Sequence, residues 1–110
     1  GIGLDGHIGF NEPGSSFKSR TRKVKLSRKT LVSNSIYFPS QREVPKYAIT
    51  MGIATIFESE KIVLIATGRK KAEIVKKFIY GKITKDVPAS ILQKHKNTII
   101  FLDKYSASKL

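Results

Sequence analysis

The run Lys61-Ile62-Val63-Leu64-Ile65-Ala66-Thr67, followed at once by Gly68-Arg69-Lys70-Lys71, decides the fold. The unbroken apolar stretch from Ile62 to Ala66 has the pattern of a strand buried on both faces of a parallel sheet. Downstream, Ala72, Val75 and Ile79, with Ile74 and Phe78 beside them, predict an amphipathic helix over Lys70 to Tyr80 that Gly81 ends. Pro88 to His95 reads as a shorter helix with proline in its first turn, Asn97 to Asp103 as the last strand, and Ser106 onward as the start of another helix. Upstream, Tyr47 to Met51 reads as a strand, and Gly52 marks the turn into a helix over Ile53 to Glu60. Lys23 to Leu26 alternates polar and apolar residues like a short strand. Ser27 then caps a helix running to Ser35, before a break at Tyr37-Phe38-Pro39-Ser40. Strands and helices in this rhythm predict an α/β fold, a parallel sheet with flanking helices joined by right-handed crossovers.

Chemically able side chains gather ahead of the first strand, in Gly1-Ile2-Gly3-Leu4-Asp5-Gly6-His7-Ile8-Gly9-Phe10-Asn11-Glu12, which the turn Pro13-Gly14-Ser15-Ser16 closes. Loops of this kind carry the chemistry of α/β folds, because the sheet holds them still while their side chains face a crevice. Four readings compete. Gly1, Gly3 and Gly6 match the G-x-G-x-x-G of dinucleotide-binding folds, but Gly9, Pro13 and Gly14 break the helix that should follow. After Glu12 no acid appears until Glu43, so the ribose-binding carboxylate is also missing from its usual place. A metal site on Asp5, His7 and Glu12 would need further ligands from elsewhere, since there is no cysteine and no second histidine before His95. A hydrogen-bonded loop histidine flanked by surface acids is the third reading. The fourth is acid/base catalysis, since an imidazole between two carboxylates keeps a defined tautomer and suits proton transfer near neutral pH.

A second candidate lies at the other end of the deciding stretch. Arg69, Lys70 and Lys71 fall at the predicted start of a helix, where the dipole already presents its positive end. A bound anion would reconcile them, taking backbone N–H bonds and a lysine contact together. The competing reading is that all three point to water.

Composition narrows the class further. The 110 residues carry 21 basic and 8 acidic side chains, a net charge of +13, which raises the question of nucleic acid. The basic run from Lys18 to Lys29 contains no acid, yet it also contains no aromatic residue to stack on bases, which weakens that reading. No apolar stretch approaches the ~20 residues of a membrane-spanning helix, so no membrane partner is expected. The absence of cysteine excludes a disulfide scaffold and suits a reducing cytoplasm, the expected location.

Asp5-Gly6-His7-Ile8-Gly9-Phe10-Asn11-Glu12-Pro13-Gly14-Ser15-Ser16, with Ser19-Arg20-Thr21-Arg22 after it, closely resembles the signature of the glucosamine-6-phosphate deaminase (isomerase) family. Looser matches follow in family order at Val44 to Ile53, Ala66 to Ala72 and Val87 to His95, and they cover nearly the whole chain. The related sugar-phosphate lactonases share the Asp-Gly-His core but differ where this chain has Phe10-Asn11-Glu12-Pro13, which favours the deaminase branch.

The resemblance implies a Rossmann-like domain of which residues 1–110 form the C-terminal part. It implies conversion of glucosamine 6-phosphate and water to fructose 6-phosphate and ammonia, with no metal or organic cofactor. His7 would move a proton at the ring oxygen, with Asp5 and Glu12 orienting it, and Lys71 would bind the substrate phosphate. The family's general base, an aspartate, and its main phosphate loop lie upstream of the matched residues, so the isolated chain is expected to be inactive. Ser15 and Arg22 correspond to residues that bind an acetylated amino-sugar phosphate in the family's allosteric enzymes, whereas the accompanying lysine falls on Val24. A family arginine in an Asn-Ser-Arg-Phe segment is replaced in Asn34-Ser35-Ile36-Tyr37. The expected partners are a small sugar phosphate and, in the intact protein, further copies in a homo-oligomer. A galactosamine-6-phosphate isomerase and a basic nucleic-acid-binding module are the alternatives.

Overall fold

Strands β3 (Ile62–Ala66) and β4 (Thr98–Leu102) pair in parallel, from Ile62 opposite Thr98 to Ala66 opposite Leu102, in a computed structural model that describes residues 1–110. Between them run a 3₁₀ turn (Arg69–Lys71), the helix α3 (Ala72–Tyr80) and a 3₁₀ helix (Pro88–Lys94). The apolar residues of α3 recur at helical spacing, and Ala72, Ile74, Val75 and Phe78 are buried. They pack on Ile62, Leu64 and Ala66 of β3 together with Ile2, Ile8, Ala89 and Leu92, which makes one core. Ile2 and Ile8 flank the candidate loop, so the core itself anchors both ends of it.

The deciding strand departs from its sequence reading on one face. Burial along β3 alternates: Val63 and Ile65 are 49% and 57% exposed, and Ile99 and Phe101 of β4 also face outward. The unbroken apolar run predicted two covered faces. Only one is covered, because α3 and the 3₁₀ helix both lie on the same side and no other part of the 110 residues packs on the opposite one.

Strands β1 (Arg22–Lys25) and β2 (Tyr47–Thr50) form a separate pair, and it is antiparallel. A single parallel sheet was expected. The segment joining these strands holds only the short helix α1 (Arg28–Asn34) and two 3₁₀ turns, and it brings the chain back beside β1, with Leu26 N–H donating to Lys46 O at 2.8 Å. Burial alternates along β1, as it does in a ribbon with one wet face. Ser27 caps α1 as expected, its hydroxyl accepting from Thr30 N–H.

Three further elements differ from expectation. The helix α2 (Ile53–Phe57) is shorter than predicted. The Pro88 segment is 3₁₀ rather than α, and Ser90 Oγ ties it to the preceding loop, accepting from Thr84 N–H at 2.9 Å and donating to Thr84 O at 3.0 Å. Residues after Asp103 form successive turns instead of a helix, with Ser106 Oγ tied to Ala66 O at 2.8 Å. No helix is long and apolar enough to cross a membrane.

Candidate active site

The loop from Gly3 to His7 closes on itself. Gly3 N–H donates to His7 O at 2.9 Å and Gly6 N–H to Gly3 O at 3.0 Å, which folds the imidazole back over Gly3. A Cβ at Gly3 would stand 2.1 Å from the His7 ring, so only glycine permits this approach. The dinucleotide reading fails here structurally, since these glycines form a turn and no helix follows the third.

Asp5 holds His7 at two points. Its Oδ1 accepts from the His7 backbone N–H at 3.2 Å and lies 2.7 Å from the ring Nδ1. Burial pushes the Asp5 carboxyl up, but the His7 backbone bond, the His7 charge and the ring bond together outweigh it and hold the group below the usual carboxylate value. An ionised carboxylate only accepts, so Nδ1 carries the proton of this bond and Nε2 is the nitrogen left for a substrate.

Glu12 approaches the same nitrogen, its Oε2 3.7 Å from Nδ1, too far for a hydrogen bond. Its Oε1 accepts from Thr30 Oγ1, and its backbone carbonyl accepts from Ser15 Oγ at 2.6 Å. Next to it, Asn11 is fully buried and ties the loop to the end of β2, donating to Ile8 O at 2.9 Å and Met51 O at 2.8 Å. One ligand atom each from Asp5, His7 and Glu12 lies within 4.8 Å of the others, a spacing a metal ion could use. The Asp5 bond to Nδ1 accounts for the closest of these contacts without an ion.

Lys71 reaches this loop from the far side. The turn that delivers it is pinned at Gly68, whose N–H donates to both Asp103 carboxylate oxygens at 3.1 Å. Lys71 Nζ donates to Ile2 O at 2.5 Å. Burial pushes its ammonium below the ordinary lysine value, and the Asp5 charge raises it in part. Lys71, Asp5, His7 and Thr30 all line one open cleft of about 1480 Å³. Arg69 and Lys70 stand at its rim, Arg69 against the Tyr105 ring at 5.7 Å.

The structure thus brings Asp5, His7, Glu12 and Lys71 together, while Ser15 and Arg22 contact the loop from behind, Arg22 Nη1 donating to Asn11 Oδ1 at 2.8 Å. Ile36 is 78% exposed in the turn after α1, whereas the basic residues Arg28 and Lys29 of α1 do line the cleft. Sequence reasoning missed Thr30 and Asn11. Asn11 sat inside the recognised motif, and a polar residue wedged between Phe10 and Glu12 was the available signal. For Thr30 there was none beyond its place three residues after a helix cap.

Residues 1–101 match the family model described as glucosamine-6-phosphate isomerases/6-phosphogluconolactonase. The whole chain aligns with glucosamine-6-phosphate deaminases of Lacticaseibacillus paracasei at 56% identity and of Streptococcus pyogenes and Clostridium botulinum at 54%. It spans about half the length of these curated relatives: 47%, 47% and 45%. A solved structure described as a monomeric glucosamine-6-phosphate deaminase is similar with a TM-score of 0.96 at 50% identity, over 99% of this chain and 45% of that one. A 6-phosphogluconolactonase from Trypanosoma brucei is similar with a TM-score of 0.69 at 26% identity, over 99% of this chain and 40% of that one.

Proposed function

The chain belongs to the family of glucosamine-6-phosphate isomerases and 6-phosphogluconolactonases, and from that premise we propose that it is the C-terminal part of a glucosamine-6-phosphate deaminase. The intact protein would convert glucosamine 6-phosphate and water to fructose 6-phosphate and ammonia. The observation that carries this reading is the single cleft shared by the His7 group and Lys71, an acid/base centre and an anion-binding cation.

In this mechanism Lys71 binds the substrate phosphate as a charge-assisted donor. His7, with Nδ1–H committed to Asp5, uses Nε2 to take the proton of the sugar's C1 hydroxyl and return it to the ring oxygen as the bond between C1 and that oxygen breaks, which opens the ring to the aldehyde. Asp5 fixes the tautomer and stabilises the imidazolium when it forms, while Glu12 adds a second negative charge beside the same nitrogen. Once the ring is open, its carbonyl acidifies the neighbouring carbon, so the chemistry asks for no metal or organic cofactor. The proton shuttle between the sugar's C2 and C1 falls, by resemblance, to an aspartate upstream of these residues.

A cytoplasmic location suits a sugar-phosphate enzyme without cysteines. Assembly into a homo-oligomer rests on the resemblance alone, and the similar structure described as monomeric speaks for a single copy.

The test is ammonia release from glucosamine 6-phosphate by the full-length protein, by its His7→Gln variant and by the isolated 110 residues. The full-length protein turns over, His7→Gln lowers kcat with KM little changed, and the isolated chain is silent. A fall confined to KM would make His7 a binding residue, and turnover by the isolated chain would remove the need for an upstream base.

A further inference from the structure

The Glu12 carboxylate is gripped on one oxygen only. Oε1 accepts from Thr30 Oγ1, whereas Oε2 is buried with no hydrogen-bond donor from the chain and faces His7 Nδ1 at 3.7 Å. The terminal torsion of a glutamate is broad and roughly two-fold, so packing alone sets it poorly. His7 gives its Nδ1 bond to Asp5, which leaves the Thr30 hydroxyl to set how the carboxylate is turned.

Thr30 is well placed to do so. It is 3% exposed and sits three residues after the cap of α1, with its backbone N–H donating to Ser27 Oγ at 3.2 Å. Ser27 Oγ also lies 3.1 Å from Thr30 Oγ1. Proton counting then orders the chain of hydroxyls. An ionised Glu12 can only accept, so Thr30 donates its one hydroxyl hydrogen to Glu12 and receives one from Ser27. A protonated Glu12 reverses both bonds, donating to Thr30, which donates to Ser27. The pair of hydroxyls can therefore hold Glu12 in the same place in either protonation state.

We propose that Thr30 is a positioning residue for proton transfer at His7, setting the Glu12 carboxylate against the imidazole with Ser27 as its anchor. This rests on the reading of Asp5, His7 and Glu12 as the acid/base group of the deaminase. A helix that merely docked on the loop would need the shape of Thr30 and not its hydrogen bond, and that difference can be measured.

Thr30→Val keeps the shape and removes the donor, while Thr30→Ser keeps the donor and trims a methyl group. In the full-length protein, kcat of Thr30→Val should fall roughly 10–100-fold, part of the ~10²–10⁴ that a positioned acid or base contributes, with KM within about twofold. Thr30→Ser should stay within about threefold of the parent. Ser27→Ala, which leaves Thr30 in place without its anchor, should lower kcat by about 3–10-fold and covers the case in which Thr30→Val does not fold. Loss of kcat in Thr30→Ser equal to that in Thr30→Val overturns the proposal, as does an unchanged kcat in Thr30→Val or, where that variant does not fold, in Ser27→Ala. If His7→Gln retains full kcat, the acid/base reading itself falls and takes this inference with it. If His7→Gln is impaired and Thr30→Val is not, Thr30 alone is wrong.

Discussion

Arg22 Nη1 donates to Oδ1 of Asn11 at 2.8 Å, which ties strand β1 to the residue immediately before Glu12. Asn11 is fully buried, and its amide already serves the carbonyls of Ile8 and Met51, so Arg22 is the partner that satisfies its remaining acceptor. Replacing Arg22 with alanine strands that acceptor. Arg22→Ala should destabilise the 110-residue chain by about 1–3 kcal/mol, the cost of leaving a buried acceptor unpaired. Urea unfolding checks this, and a change below about 0.5 kcal/mol, the range of ordinary surface substitutions, would show that water replaces the guanidinium.

The same bond bears on regulation. Ser15 and Arg22, the candidates for an acetylated amino-sugar phosphate, are both engaged with the loop, Ser15 through Glu12 O at 2.6 Å and Arg22 through Asn11. A ligand there would have to compete with contacts that hold the loop in place, and the lysine expected beside them is Val24. Activation of the full-length protein by that ligand should be weak or absent. Initial rates over a range of glucosamine 6-phosphate, with and without the ligand, decide it, and sigmoidal kinetics made hyperbolic by the ligand would show the opposite.

How much of this was legible depended on how local each feature is. Asp5, His7 and Glu12 lie within eight positions of one another, so their meeting followed from one loop. β3 was legible because an apolar run of strand length between Lys61 and Gly68 has few other readings. Its open face was not, since an exposed Val63 and a buried Leu64 look alike in sequence and differ only in what packs on them. Nor was the direction of β2 against β1, which the intervening chain sets and neither strand encodes. Thr30 was invisible for the same reason, because its partner lies 18 residues away and its helix position already explained a hydroxyl there.

Asp5 should leave a mark on the pH dependence of stability. Its folded carboxyl lies below the ordinary value of 3.8, so the folded state favours the ionised form. The resulting stabilisation is present above the unfolded pKa and is lost as pH falls through the lower, folded one. Asp5→Asn removes it. Unfolding free energy followed from about pH 5 downward should therefore decline less steeply in Asp5→Asn than in the parent chain. Parallel curves would mean that the His7 contacts do not favour the ionised carboxyl.

Lys71 offers the sharpest test of the phosphate assignment, because its surroundings push in opposite directions. Burial disfavours its charge, while Asp5 favours it and Ile2 O accepts from it at 2.5 Å. Lys71→Met keeps much of the bulk, relieves a desolvated charge and gives up the Ile2 bond. These terms oppose one another, so folding stability should change by less than about 1 kcal/mol, the size of one ordinary hydrogen bond. Binding has no such compensation. If the ammonium meets the substrate phosphate, its loss should weaken glucosamine 6-phosphate binding to the full-length protein by about 1.5–3 kcal/mol, the worth of a charge-assisted hydrogen bond. Calorimetry at moderate salt reads this directly, since exposed charges further away are largely screened there while a bound phosphate in contact with Lys71 is not. Unchanged affinity would return Lys71 to a purely structural role, bracing the Ile2 carbonyl at the entrance of the loop.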